Sequence, residues 1–273
     1  GWMADYGEYL PTDAVIHTGD AMTFHNRYPA EWARVNYEAI ADAGKLDEAM
    51  IFMRAGYTGS SRYAHSIWAG DQMVDWSRHD GLPSVIPAAL SSGISAAIGV
   101  HHSDVGGFTT LFHKKRTQEL FMRWVEQSAF SPLMRSHEGN RPASNAQWDS
   151  TDETLQHLAR MARVYVALRA YRRAVLEEYY ETGIPVMRPV QIHYPTWIRM
   201  PVKQQSFRYL YGRDLFVAPV INKGRRSSRV MLPPDRWVHL WSGKEYNAET
   251  RSKSVDVDAP LGSPPVFFRK GSE

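Results

Sequence analysis

The sequence predicts an α/β fold, an incomplete (β/α)8 TIM barrel over residues 1–205 followed by a small antiparallel β-sandwich domain over residues 206–273. Three observations carry that expectation. Up to about Pro189, short apolar segments ending in polar residues alternate with amphipathic stretches, the pattern of parallel strands and crossover helices. Beyond Arg208 the pattern changes to β-branched and aromatic runs broken by Gly, Pro and Asp, with no helical period. A full barrel takes about 250 residues, more than the first segment offers.

The expected elements follow in order. Gly1–Asp5 reads as an apolar strand running straight into acidic residues; a chain rarely begins inside such a strand, so an N-terminal portion is expected to precede it. Pro29 to Ala43 reads as a helix, with proline early and Gly44 past its end. Met50–Arg54 and Ser66–Asp71 are the next strands, and Gly81 to Ile98, closed by Gly99, is the next helix. Strand Val100–Asp104, helix Gln118 to Ala129, a single long helix from Thr151 to Glu181 closed by Gly183, and strand Pro185–Pro189 complete about five strand-helix units. In the tail, Asp214–Val220, Arg229–Leu232, Trp237–Trp241, Ser254–Val257 and Val266–Arg269 read as antiparallel strands.

Composition narrows the function classes. The 32 basic and 29 acidic residues are scattered apart from runs such as Lys114-Lys115-Arg116, which read as solvated faces; no nucleic-acid partner is expected. Without cysteine there is no disulfide, thiol nucleophile or thiolate metal site. The most apolar stretch, Pro83 to Val100, contains Pro87 and small residues that suit a helix packed on a sheet, so no membrane span is expected.

In a barrel, groups at the C-terminal strand ends face the substrate, and Asp5, Arg54, Asp71 and Asp104 all hold such positions. Cleaving a glycosidic bond needs one carboxylate to trap the cationic centre and one carboxylic acid to protonate the leaving oxygen. Spacing alone leaves a structural alternative for each, since strand-end acids also cap helices or pair with arginine. His101, His102 and Asp104 offer a rival reading as metal ligands, but adjacent residues of a strand point to opposite sides.

The surrounding motifs are more specific. Gly1-Trp2-Met3-Ala4-Asp5-Tyr6-Gly7-Glu8 resembles the nucleophile motif of glycoside hydrolase family 31, and Trp68-Ala69-Gly70-Asp71-Gln72 resembles its acid/base motif. Ser103-Asp104-Val105-Gly106-Gly107-Phe108 and Arg135-Ser136-His137 resemble two further signatures, in the family's order. This resemblance covers essentially the whole chain, as the segment Leu210 to Pro219 is similar to the start of the family's C-terminal β-domain. It implies the C-terminal part of a barrel, Asp5 as nucleophile, Asp71 as acid/base, and no cofactor or metal. It also implies that Arg54, Trp68 and His137 line the sugar subsite and that Asp104 orients its neighbours.

Departures from the common pattern point to a branch. Ala4-Asp5-Tyr6-Gly7-Glu8-Tyr9-Leu10-Pro11, Gln72, His101-His102 and Glu138-Gly139-Asn140-Arg141-Pro142 are similar to the family's sulfoquinovosidases. The implied partner is a small-molecule glycoside of sulfoquinovose, a glucose with a sulfonate at C6. In that branch the sulfonate is held mainly by a segment upstream of the nucleophile. Phe108 stands where those enzymes tend to carry tyrosine, so an α-glucoside or α-xyloside is the alternative substrate, and a fragment without turnover of its own is the second alternative. A cytoplasmic location and a homo-oligomer are the remaining expectations.

Overall fold

The structure, a computed structural model, describes residues 1–17, 19–199 and 206–272. Four parallel strands lie side by side in sequence order: β1 (Trp2–Ala4), β2 (Ile51–Met53), β3 (Ser66–Trp68) and β4 (His101–His102). The register pairs Trp2 with Ile51, Phe52 with Ser66 and Ile67 with His101. Because the strands are parallel and in step, the residues that follow them, Asp5, Arg54 and Asp71, emerge along one edge of the sheet. A second parallel pair, β5 (Asp104–Val105) and β6 (Arg135–Ser136), extends the series.

The connections are helical: α1 (Ala21–Phe24), α2 (Tyr28–Asp42), α3 (Val85–Ser95), α4 (Gln118–Ser128), α5 (Asp152–Ala167) and α6 (Arg169–Thr182). Helix α2 starts with proline in its first turn and lays Ala33 and Ile40 against Ala4, Ile51 and Met53 of the sheet. Helix α4 opens on Thr117, whose hydroxyl accepts from the Leu120 N–H at 3.3 Å. It buries Leu120, Phe121, Trp124 and Val125 in the largest apolar cluster, together with Tyr209, Val217 and Val266 from the C-terminal region.

That region is a two-layer β structure. β7 (Met187–Arg188), β8 (Tyr209–Tyr211), β9 (Leu215–Val217), β11 (Arg236–His239), β12 (Glu245–Asn247) and β14 (Val266–Arg269) form an antiparallel sheet in the order β12-β11-β14-β9-β8-β7. The second layer pairs β10 (Ser227–Leu232) with β13 (Lys253–Asp258). Alternation along β13 turns Val255 and Val257 inward, onto Phe216, Trp237 and Phe267. Each such fully buried side chain contributes about 1.5–3 kcal/mol. Exposed pairs such as Arg229–Asp256, at 3.8 Å, contribute about 0–1 kcal/mol, so apolar burial holds the layers together.

Several elements differ from the sequence expectation. The segment expected as one helix from Thr151 to Glu181 is two, broken at Leu168, where φ −78° and ψ 7° leave helical geometry. The break lets α6 dock on the sheet, with the Tyr171 hydroxyl donating to Tyr211 O at 2.8 Å. The strand expected at Pro185–Pro189 among the parallel ones is β7, which pairs antiparallel with β8. Strands β6, β8 and β12 carry too few residues for a visible period. The domain division expected at 205/206 falls at residues 200–205, outside the described residues. Among the described residues no helix is long and apolar enough to cross a membrane.

Candidate active site

The site is built around Arg54, placed just past the end of β2 between the residues that follow β1 and β3. Its Nη1 lies 3.0 Å from Asp5 Oδ1 and 3.8 Å from Asp71 Oδ2, while Nη2 and Nε reach Glu8 Oε1 at 2.6 and 2.8 Å. Two carboxylate oxygens so close to one nitrogen are less than about 7 Å apart. Retaining glycosidases hold their carboxyl groups about 5–5.5 Å apart and inverting ones about 6.5–9.5 Å. The contact is compatible with the retaining spacing.

Local backbone fixes Asp5. Its Oδ1 accepts from the Tyr6 N–H at 2.9 Å, and its carbonyl accepts from Trp32 Nε1 at 2.9 Å. Tyr6 sits at φ 68°, in the left-handed region that costs a non-glycine residue about 1–3 kcal/mol. There its ring lies against the Arg54 guanidinium, 4.8 Å from the ring centre, with the Tyr9 ring at 5.5 Å.

Burial, not the surrounding charge, shifts Asp71 toward its protonated form. Burial raises its pKa above the usual carboxylate range, Asp5 and Glu8 push the same way, and Arg54 and His137 oppose them. Its side chain stays 47% accessible, so a proton can be delivered outward. Burial opposes the charge on Arg54, yet Glu8, Asp5 and Asp71 together hold its pKa above the ordinary value. One guanidinium thus stands between two carboxyl groups, and the Asp71 carboxyl has its pKa raised by burial.

The other expected residues form a second group. Asp104 is buried and pairs with Arg135, whose guanidinium also stacks over Phe52; burial raises the Asp104 pKa and Arg135 works against that rise. His137 and Phe108 meet edge-on with ring centres 4.9 Å apart. His137 Nδ1 accepts from the Gly139 N–H at 3.0 Å, which leaves Nε2 as the nitrogen able to meet a substrate hydroxyl. Trp68 is 2% exposed and packs edge-on against Phe52, so it supports the strand beneath the carboxylates. His101 and His102 are buried, and with Asp104 they do not make a group of three that could hold a metal; none exists among the described residues.

Sequence reasoning did not single out Glu8, Arg116 or Arg135. Glu8 stands three positions after Asp5 inside the quoted motif, and Arg135 opens another; their spacing was a signal for both. Nothing in the sequence marks Arg116, which lies in a basic run yet is 2% exposed. It donates to the carbonyls of Gly107, His137, Glu138 and Ala146 and to the Gln147 side chain at 2.7–3.1 Å. It thereby ties the loop carrying Phe108 to the one carrying His137.

Two family profiles match the chain: the glycosyl hydrolases family 31 TIM-barrel domain over residues 1–172, and the glycosyl hydrolase family 31 C-terminal domain over residues 183–272. The chain is 50% identical to the sulfoquinovosidase of Escherichia coli (strain K12) over 274 residues, and 48% identical to that of Agrobacterium fabrum. Both alignments cover all of this chain but only 39% and 40% of those proteins. The chain thus spans about two fifths of the length of the curated relatives it matches. Among solved structures, a GH31 family sulfoquinovosidase from E. rectale in complex with the aza-sugar inhibitor IFGSQ superposes with a TM-score of 0.93 at 46% identity, covering 100% of this chain and 40% of that one. A GH31 α-xylosidase from a soil metagenome complexed with xylose gives 0.80 at 28% identity, covering 98% and 41%.

Proposed function

We propose, from the premise that this chain belongs to glycosyl hydrolase family 31, that it carries the catalytic carboxylates of a retaining α-glycosidase acting on α-sulfoquinovosides. The observation that carries the reading is the Asp5–Arg54–Asp71 arrangement, two carboxyl groups on a shared guanidinium with the Asp71 pKa raised. Asp71 donates its proton to the glycosidic oxygen as Asp5 attacks the anomeric carbon, giving a glycosyl-enzyme and a free aglycone. Asp71, now a base, takes a proton from the water that releases the sugar with retained configuration. Arg54 positions Asp5, His137 Nε2 and Phe108 border the sugar, and the Asp104–Arg135 pair holds that border in place.

The sulfosugar substrate is supported by the two sulfoquinovosidases at 50% and 48% identity, against 28% for the α-xylosidase. Phe108 favours the second reading, a neutral α-glucoside or α-xyloside, because phenylalanine offers no hydroxyl to a sulfonate. Import of a small charged glycoside before cleavage makes the cytoplasm the compartment this reading expects, and a homo-oligomer stays part of it.

The test is hydrolysis of a nitrophenyl α-sulfoquinovoside against the matching α-glucoside, with this chain alone and with a form extended to the relatives' length. Preference for the sulfosugar is expected, and equal or faster turnover of the glucoside would overturn the assignment. Turnover confined to the extended form would assign part of the working site to the added segment. Asp5→Asn is expected to abolish the glycosyl-enzyme, whereas Asp71→Asn spares activated aryl substrates that need little acid assistance. Undiminished turnover in Asp5→Asn would remove the mechanism.

A further inference from the structure

The loop that starts at Asp71, after β3, is fastened to the turn that follows β5. The Gln72 carbonyl accepts from the Phe108 and Thr109 N–H groups, each at 2.8 Å, and the Val74 N–H donates to the Thr109 carbonyl at 3.1 Å. Gly107 permits that approach: it stands at φ 78°, and a Cβ there would lie 3.0 Å from Met73 O and 3.1 Å from Gln72 O. Two side chains join these backbone contacts. Lys114 Nζ pairs with an Asp75 carboxylate oxygen, and Thr109 Oγ1 donates to the backbone carbonyl of Asp71 itself at 2.7 Å.

The Thr109 contact falls where the direction of the Asp71 side chain is decided. Among the described residues no donor holds the Asp71 carboxyl by a hydrogen bond, and its ion-pair contact with Arg54 is 3.8 Å long. The carboxyl therefore points where the backbone at Asp71 aims it. Before Asp71 stands Gly70 at φ 86°, a conformation open to glycine, and after it the buried Gln72, whose Nε2 donates back to the Ala69 carbonyl. The Thr109 hydroxyl holds the peptide between Asp71 and Gln72, and the two N–H bonds to the Gln72 carbonyl hold the next one.

We propose, resting on the reading of Asp71 as the acid/base, that Thr109 is a positioning residue for it: the hydroxyl ties the peptide after Asp71, and with it the direction of the carboxyl, to the loop that carries Phe108. Thr109 acts through the Asp71 backbone and not on the sugar. The acid and the Phe108 border of the sugar subsite are thereby held at one fixed spacing, so that a sugar seated against Phe108 presents its glycosidic oxygen to Asp71. A misplacement of about 1 Å in such a group costs up to about a hundredfold in rate.

Thr109→Val keeps the branched shape and removes the donor, whereas Thr109→Ser keeps the donor. The contact lies at the surface, so water can take the place of the hydroxyl and the urea midpoint should barely move. In the 273-residue chain, followed by carboxyl carbon NMR, the Asp71 titration should move to lower pH in Thr109→Val, because a released turn exposes the carboxyl whose burial raises its pKa, and should return in Thr109→Ser. In turnover, Thr109→Val should lower kcat for an alkyl α-sulfoquinovoside by about tenfold to a hundredfold with KM little changed. The loss should be smaller for the nitrophenyl glycoside, which needs little acid assistance. An Asp71 titration unmoved in Thr109→Val, or moved as far in Thr109→Ser, overturns the proposal, as does an equal loss of kcat on both glycosides. Because the titration needs no substrate, it decides the role of Thr109 by itself, and a wild-type chain that hydrolyses neither glycoside counts against the glycosidase reading alone.

Discussion

At the scale of single residues, the carboxylates act on each other through space. The Asp5 charge helps to raise the Asp71 pKa, whereas Arg54 lowers it. Asp5→Asn should therefore move the Asp71 titration toward lower pH, and Arg54→Met should move it upward, as read by carboxyl carbon NMR. An unmoved titration in both variants would mean that the groups are farther apart in solution. On the proposed glycosidase reading, the upward move of the Asp71 titration in Arg54→Met would carry the alkaline fall of kcat/KM to higher pH. Asp5, Arg54 and Asp71 were legible in the sequence because each ends an apolar run in a charge. Glu8 and Arg135 were less so, because an arginine's partner depends on which strand ends are neighbours, and only the register supplies that.

At the scale of elements, the long periodic helices α2 and α4 were legible, while two-residue strands such as β6 and β7 were not, since so short a segment shows no alternation. The antiparallel direction of β7 was hidden for a further reason. Its partner β8 lies 22 residues on, and local sequence does not encode the direction of that pairing. The turn after β5 shows how an element places the site. Gly106 stands at φ 96°, and a Cβ there would lie 2.5 Å from Arg116 Cδ, the side chain joining the Phe108 and His137 loops. Gly106→Ala should lower the unfolding free energy by about 1–3 kcal/mol, the cost of overpacking together with an unfavourable φ. Arg116→Met, which strands five acceptors, should cost at least as much. Urea denaturation measures both, and wild-type stability in Gly106→Ala would show that the turn can open without harm.

At the scale of the whole molecule, the parallel and antiparallel parts are latched by a buried ion pair on α4. Arg123 Nη1 lies 2.7 Å from Glu126 Oε2, with both side chains at most 2% exposed. Arg123 Nη2 donates to the carbonyls of Arg225 and Ala259, each at 2.7 Å, and Glu126 Oε1 accepts from the Gly262 N–H at 2.6 Å. The latch thus reaches the loops at Arg225, Ala259 and Gly262 on the β side. Burial raises the Glu126 pKa, with Arg123 and the Gly262 N–H holding it down, so the carboxylate depends on its partners to stay charged. Removing one member leaves the other desolvated and unpaired. Arg123→Met and Glu126→Leu should each cost about 3–5 kcal/mol, whereas the double variant should cost clearly less than their sum, because it removes both charges at once. A double-mutant cycle in urea reads that coupling, and strictly additive losses would mean that the two side chains contribute through packing rather than as a charge pair.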